Sequence, residues 1–368
     1  MDAEPRAADL PPPITEVGVV GWLRANLFRS WTSSIVTLVL LYLLVRMLVP
    51  FLDWALVSAD FVGTQSSDCS GQGACWVFIG QRIQFFIYGF YPSAEYWRVD
   101  ICYALLALVL APQFIPGVPM RVRKWLGIFG MTLFPVVSYV LIGGGWFGLQ
   151  PIPSDKWGGL TLTLMLAFTG ILASLPIGIV LALGRRSQMP VIRSLSVVFI
   201  EIWRGVPLIS VLFMASVMLP IFLPEGVDFN KLLRALIGIT LFWSAYMAEV
   251  VRGGLQAIPK GQYEAADALG LNYWKSMGLV ILPQALKYVI PGVVNTFIAL
   301  FKDTTLVLII GLFDVLGTVQ STIIDPAWRN VATEGYLFAA FMFWIFCFGM
   351  SRYSQNLERR LHTGHQTR

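Results

Sequence analysis

Residues 263–285 read YEAADALGLNYWKSMGLVILPQA. The chain around them is apolar enough to dissolve in a bilayer, and this stretch is not. It opens with Tyr263 and Glu264, runs through Ala265, Ala266 and Ala268, meets Gly270, and returns to apolar residues near Leu282 and Pro283. The alanines, Glu264 and Leu269 are good helix formers. Glu264 and Asp267 suit the N-terminal end of a helix through its dipole. Gly270 takes the left-handed conformation that ends one. The spacing predicts a short surface helix broken from the preceding segment at Pro259-Lys260-Gly261. A glycine turn and a second helical piece from Asn272 to about Leu282, stopped by Pro283, follow.

What surrounds the stretch places it. Of 368 residues, 57% are hydrophobic and 13% charged, and this balance belongs to membrane-embedded chains. Eight apolar spans are predicted, roughly 31–51, 99–117, 125–146, 158–183, 195–223, 235–255, 284–302 and 336–351. The prolines Pro176 and Pro207 inside two of them are tolerated where neighbouring helices accommodate them. The fold class is therefore all-α integral membrane, with about eight transmembrane helices.

Residues 1–20 carry acidic side chains and the run Pro11-Pro12-Pro13, without the basic and apolar regions of a cleavable signal. They read as a short disordered tail. The net charge of +5 does not indicate nucleic acid, because no basic cluster carries stacking aromatics. It reflects topology. With a cytoplasmic N-terminus, sixteen of the Lys and Arg residues fall in cytoplasmic segments and seven in the opposite loops. Both termini are expected in the cytoplasm, and residues 263–285 with them. The segment Asp68–Trp76 then lies outside, where Cys69 and Cys75 are either bonded or free thiols in a loop. Cys102 and Cys347 read as small buried hydrophobes. His362 and His365 lie in a polar tail without metal-site spacing, so no metal is expected.

Charges inside the spans are costly, and their placement matters. Glu201-Ile-Trp-Arg204-Gly205 and Glu249-Val-Val-Arg252-Gly253 each put Glu and Arg three apart on one helix face. They serve either as a polar lining to a substrate path or as self-neutralising pairs that staple helix ends or a subunit interface. Lys302-Asp303-Thr304 combines both charges with a hydroxyl, a set suited to a zwitterionic ligand or to an interfacial anchor. No GxxxxGK[ST] loop, catalytic triad or metal set occurs, so the chain reads as a non-hydrolytic subunit with no catalytic residue and no cofactor of its own.

Glu264-Ala265-Ala266, Gly270 four positions later, and Val280-Ile281-Leu282-Pro283 after nine more residues resemble the EAA loop of ABC-importer permeases. Val280 stands where that pattern has isoleucine. Thr161 with Thr163, Leu183 to Ser187, Glu201 to Leu208, Ala248 to Leu255 and Lys302-Asp303-Thr304 are similar to the polar amino-acid (histidine/glutamine-type) subfamily. The resemblance covers about 158–355. The three-helix extension before it resembles the larger membrane subunit of general L-amino-acid importers.

The resemblance implies a five-helix type I importer core over 151–355 with a coupling loop at about 259–283. Before it lie a cytoplasmic tail (1–30) and the three-helix extension (31–150), and after it a cytoplasmic tail (356–368). It implies that Glu264, Ala265, Ala266, Gly270, Leu282 and Pro283 engage a cytoplasmic ATPase dimer, which binds ATP and Mg. It also implies a second homologous permease in a heterodimer, a periplasmic amino-acid-binding protein, an amino-acid substrate, surrounding membrane lipid and residence in the bacterial inner membrane. The competing reading is a self-sufficient secondary transporter, which needs inverted repeats and coupling-ion residues near the midplane. For a membrane enzyme no residue constellation exists.

Overall fold

The structure is a computed structural model and describes residues 18–115, 117–222, 224, 229–328 and 330–361, with side chains to residue 359. Tail residues 1–17, Arg329, His362, His365 and Arg368 lie outside the described residues. Among the described residues there is no strand, only two isolated bridges. Among the described residues seven helices are long and apolar enough to cross a membrane, or eight if one sharply bent pair counts as a single span.

The chain divides into two compact units, Met1–Phe78 and Ile79–Arg368. The first holds α1 (Gly18–Asn26) and α2 (Trp31–Leu52), so the last part of the tail expected over 1–30 is helical. The Ser30 hydroxyl caps α2 by accepting from the Ser33 amide at 3.2 Å. At 22 residues, α2 is about 33 Å long, long enough to cross a bilayer, and none of its residues is buried. A π-turn, Asp53–Val57, continues it. In the following loop Cys69 and Cys75 are joined in a disulfide with Cα atoms 5.7 Å apart. Beside it Asp68 accepts from the Thr64 and Gln65 amides at 2.7 and 3.1 Å. These bonds hold its carboxyl below the usual range.

The boundary falls within α3 (Trp76–Tyr88), a helix the span pattern does not contain. The second unit continues with α4 (Tyr96–Phe114), α5 (Met120–Gly143), α6 (Gly159–Arg185) and α7 (Pro190–Gly205). Then come α8 (Leu208–Phe213), a π-turn and α9 (Leu219–Phe222). The expected span 195–223 is therefore two helices bent by 101°. Pro207 pushes Val206 out of helical conformation, and Val206 is extended at φ −109°, ψ 136°. A neighbouring helix does not rescue this proline as expected; the backbone turns instead.

Next come α10 (Lys231–Ala257), α11 (Lys260–Ala268) and α12 (Tyr273–Lys275). A π-turn over Ser276–Ile281 leads into α13 (Leu282–Asp303), a 3-10 turn Thr304–Ile310, α14 (Val315–Ile323) and α15 (Ala332–Leu361). Pro283 does not stop the second piece, because Tyr273–Ile310 runs on as one candidate span. The proline ring cannot donate to the preceding turn, and the wider π-turn immediately before it absorbs that defect.

Helix α10 is the central element, packed on both α6 and α13. Leu162, Leu166, Ile239 and Leu300 fill one core cluster, which Val99 of α4 and Ile142 of α5 also enter. A second cluster of Ala182, Ile200, Met247, Val251, Leu255 and Ile281 lies toward α11. Small residues bring the backbones together, as between membrane helices generally. A Cβ on Gly178 of α6 would sit 2.7 Å from Met247 Cβ and 3.0 Å from the Ala248 nitrogen. Gly178→Val is expected to wedge α6 off α10 and cost on the order of 1–3 kcal/mol. The thermal midpoint of the detergent-purified chain reads this. Gly253→Ala, where nothing lies within 4 Å, should not lower the midpoint and is expected to raise it slightly through helix propensity.

Candidate functional site

The surface turn is built by local chemistry. Helix α11 ends in a paired set of bonds: Leu271 N–H to Ala266 O at 3.2 Å and Gly270 N–H to Asp267 O at 2.9 Å. This Schellman arrangement needs a left-handed residue between the two bonds, and Gly270 has φ +69°. The next helix starts at once, because the Asn272 side chain accepts from the Lys275 amide at 3.0 Å.

The helix has an inner and an outer side. Ala266 is buried at 2% exposure, and Tyr263 packs against the second core cluster. Gln284 donates to the Gln262 side chain at 3.0 Å. Glu264, Ala265, Asp267, Ala268, Leu269 and Gly270 are exposed. Of the two alanines after Glu264, one therefore docks the helix onto its own chain and one faces outward. Leu282 is half-buried and Pro283 exposed, both in the rod that follows rather than in the turn.

The two Glu-x-x-Arg pieces meet in one cluster with Arg185. The Glu249 carboxylate receives Arg252 at 2.8 Å and Arg185 at 2.9 Å, with Arg204 at 3.8 Å. Arg185 also reaches Glu201 at 2.9 Å. The expected Glu249–Arg252 self-pairing is present. Among the described residues no ion pair joins Glu201 to Arg204: Arg185 takes Glu201, while the Arg204 guanidinium rests over the Tyr246 ring at 5.6 Å. Three cations meet two anions where α6, α7 and α10 converge.

Lys302, Asp303 and Thr304 sit where α13 tightens into the 3-10 turn, not at a span end. Thr304 is fully buried and donates to Phe301 O at 2.8 Å. Lys302 is exposed and Asp303 half-buried. They do not join the Glu249 cluster. Among the described residues no group of three His, Cys, Asp or Glu side chains could hold a metal ion.

The family model for the binding-protein-dependent transport system inner membrane component matches residues 174–363. The chain is 56% identical over 346 residues to the inner membrane amino-acid ABC transporter permease protein YhdY of Escherichia coli (strain K12), covering 93% of each. The chain belongs to the family of binding-protein-dependent transport system inner membrane components. This inner-membrane component is also 38% identical over 428 residues to the glutamate/glutamine/aspartate/asparagine transport system permease protein BztC of Rhodobacter capsulatus. That match covers 98% of this chain and 97% of the relative. A crystal structure of an amino acid ABC transporter with histidines is 32% identical, covering 55% of this chain and 92% of that one, with a TM-score of 0.48.

Three residues of this inner-membrane component escape a reading of charge spacing alone. Arg185 centres the cluster with Glu249, yet in sequence it is one of two arginines at a span end. Arg186 donates to Leu255 O and to the Tyr263 hydroxyl, both at 2.9 Å. Tyr263 in turn donates to Leu255 O at 3.0 Å. The Arg185-Arg186 pair was legible as a positive-inside signal, but its partners come from other helices.

Proposed function

We propose that this chain is the permease subunit of an ATP-driven importer of L-amino acids and forms half of its translocation pathway. The observation that carries the reading is α11. It is a short helix pinned from behind by Ala266 and Tyr263, with Glu264, Ala265, Ala268 and Leu269 presented outward. Such a helix is a handle. A cytoplasmic ATPase dimer that binds ATP and Mg takes it in a groove, and closure of the dimer moves the permease. The amino-acid permease names of the relatives support the substrate class. A second homologous permease completes the pathway, and a periplasmic binding protein delivers the amino acid.

In this reading both termini and α11 face the cytoplasm, the three-helix extension precedes the importer core in the chain, and the Cys69–Cys75 loop faces out. Lys302 and Asp303 offer opposite charges to the carboxylate and ammonium of the substrate. On intact cells, a membrane-impermeant maleimide is expected to label Cys69 and Cys75 only after reduction. Labelling without reduction would contradict the bonded outward loop.

The test of function is uptake by vesicles carrying the assembled transporter. Uptake is expected to follow internal ATP and to survive collapse of the proton and sodium gradients. Uptake that follows an ion gradient and ignores ATP would instead establish a secondary transporter.

A further inference from the structure

We propose that Arg185 and Arg186 are positioning residues for transport: together they carry movement of α11 into the Glu249 cluster, where Glu249 exchanges arginine partners. The inference rests on the permease reading above and names the parts that make α11 a working handle.

The two arginines are neighbours with opposite attachments. Arg186 holds the handle. Its Nη1 donates to both Leu255 O at the end of α10 and the Tyr263 hydroxyl of α11 at 2.9 Å, and its guanidinium lies over the Tyr263 ring at 5.4 Å. Arg185 holds the cluster. Its Nη1 is shared between Glu201 of α7 and Glu249 of α10, each at 2.9 Å. One trans peptide, with Cα atoms about 3.8 Å apart, joins the two attachments. That joint is stiff. The Arg186 amide donates to Leu183 O at 3.1 Å, and Gly184 packs so closely on Ser196 of α7 that a Cβ there would overlap the hydroxyl. A shift of Tyr263 that pulls on the Arg186 backbone therefore moves the neighbouring Arg185 with it.

At the other end the cluster is built to re-partner. Glu249 has two oxygens and three guanidinium neighbours. Arg252 bonds both oxygens at 2.8 to 3.2 Å, and Arg185 bonds one at 2.9 Å. Arg204 stands off at 3.8 Å, beyond hydrogen-bond reach. With three cations and two anions, one arginine is always under-partnered, and exchange leaves no carboxylate bare. Arg204 is two residues before Val206, where the chain turns by 101° into α8. When Glu249 passes from Arg185 to Arg204, the force falls on that bend.

The experiment uses the complete transporter, with its ATPase and partner permease, reconstituted in proteoliposomes. It compares wild type, Tyr263→Phe, Arg185→Lys and the double variant. Tyr263→Phe keeps the ring and loses the hydroxyl that Arg186 holds. Arg185→Lys keeps the charge and replaces the planar guanidinium, whose Nη1 bonds both carboxylates, with a compact ammonium on a flexible stem. Each is expected to lower amino acid moved per ATP hydrolysed about tenfold, within the usual range of coupling between sites. ATP hydrolysis and ATPase stoichiometry should be unchanged, and the double variant no worse than the weaker single. A transport-per-ATP ratio equal to wild type in both singles would overturn the link. So would a double variant whose loss is the product of the two, since independent structural roles multiply. Loss of the ATPase from the wild-type preparation, or ATP-independent uptake by it, would instead overturn the permease reading on which the link rests.

Discussion

Gly270→Pro is expected to abolish uptake, by more than tenfold, while leaving the amount of chain in the membrane unchanged. The position needs φ +69°, and proline is held near −65°. Proline also removes the amide that bonds Asp267 O at 2.9 Å. The combined cost, about 3 kcal/mol or more, falls on the turn that fixes the angle between α11 and the rod behind it. Nothing lies within 4 Å of a Cβ built there, so the damage is backbone geometry and not a clash. Gly270→Ala should therefore be milder, near the 1–2 kcal/mol of left-handed strain, with uptake reduced but measurable. Wild-type uptake by Gly270→Pro, measured in vesicles at matched expression, would contradict the role given to the turn.

Glu249→Leu is expected to be the most destabilising substitution in the charge cluster. Glu249 is 17% exposed and faces Arg185, Arg204 and Arg252. Its loss leaves three cations sharing Glu201 alone. Removing the shared carboxylate from this half-buried cluster leaves hydrogen-bonded guanidinium groups unsatisfied, at a cost on the order of 1–3 kcal/mol. Glu201→Gln should cost far less, about 0.2–1 kcal/mol, since Glu201 is 54% exposed and, among the described residues, its ion pair is with Arg185. The thermal midpoints of the two variants, purified in one detergent, decide the matter. Equal losses would show that Glu249 is not the hub.

What the sequence made legible follows from how local each feature is. Helix α11, its glycine turn and the Asn272 start all rest on contacts within six residues, and they stand where residues 259–272 place them. The broken fifth span rests on Pro207, whose effect on Val206 is local too. Spacing favours the wrong outcome there only when a neighbouring helix is assumed to compensate. Pro283 is the opposite case. It reads as a stop, yet the π-turn at Ser276–Ile281 lets the helix pass through it, and π-turns leave no mark in hydrophobic period. Helix α3 and helix α14 are 13 and 9 residues long, too short for any search based on membrane thickness.

The charge cluster shows the same limit at the site. The i, i+3 spacing correctly joins Glu249 with Arg252. It equally joins Glu201 with Arg204, and there a third helix intervenes with Arg185. Which arginine wins is set by the packing of α6 against α7 and α10. Tyr263 was visible as the first letter of the opening stretch, but its bond to Arg186 spans 77 residues and no local pattern announces it.

The most direct measurement is to purify the tagged chain from its native membrane in mild detergent and identify what comes with it by mass spectrometry. The account predicts an ATPase and a second permease carrying its own EAA loop, in fixed stoichiometry. Recovery of the chain alone, in preparations that still catalyse uptake after reconstitution without ATP, would contradict it.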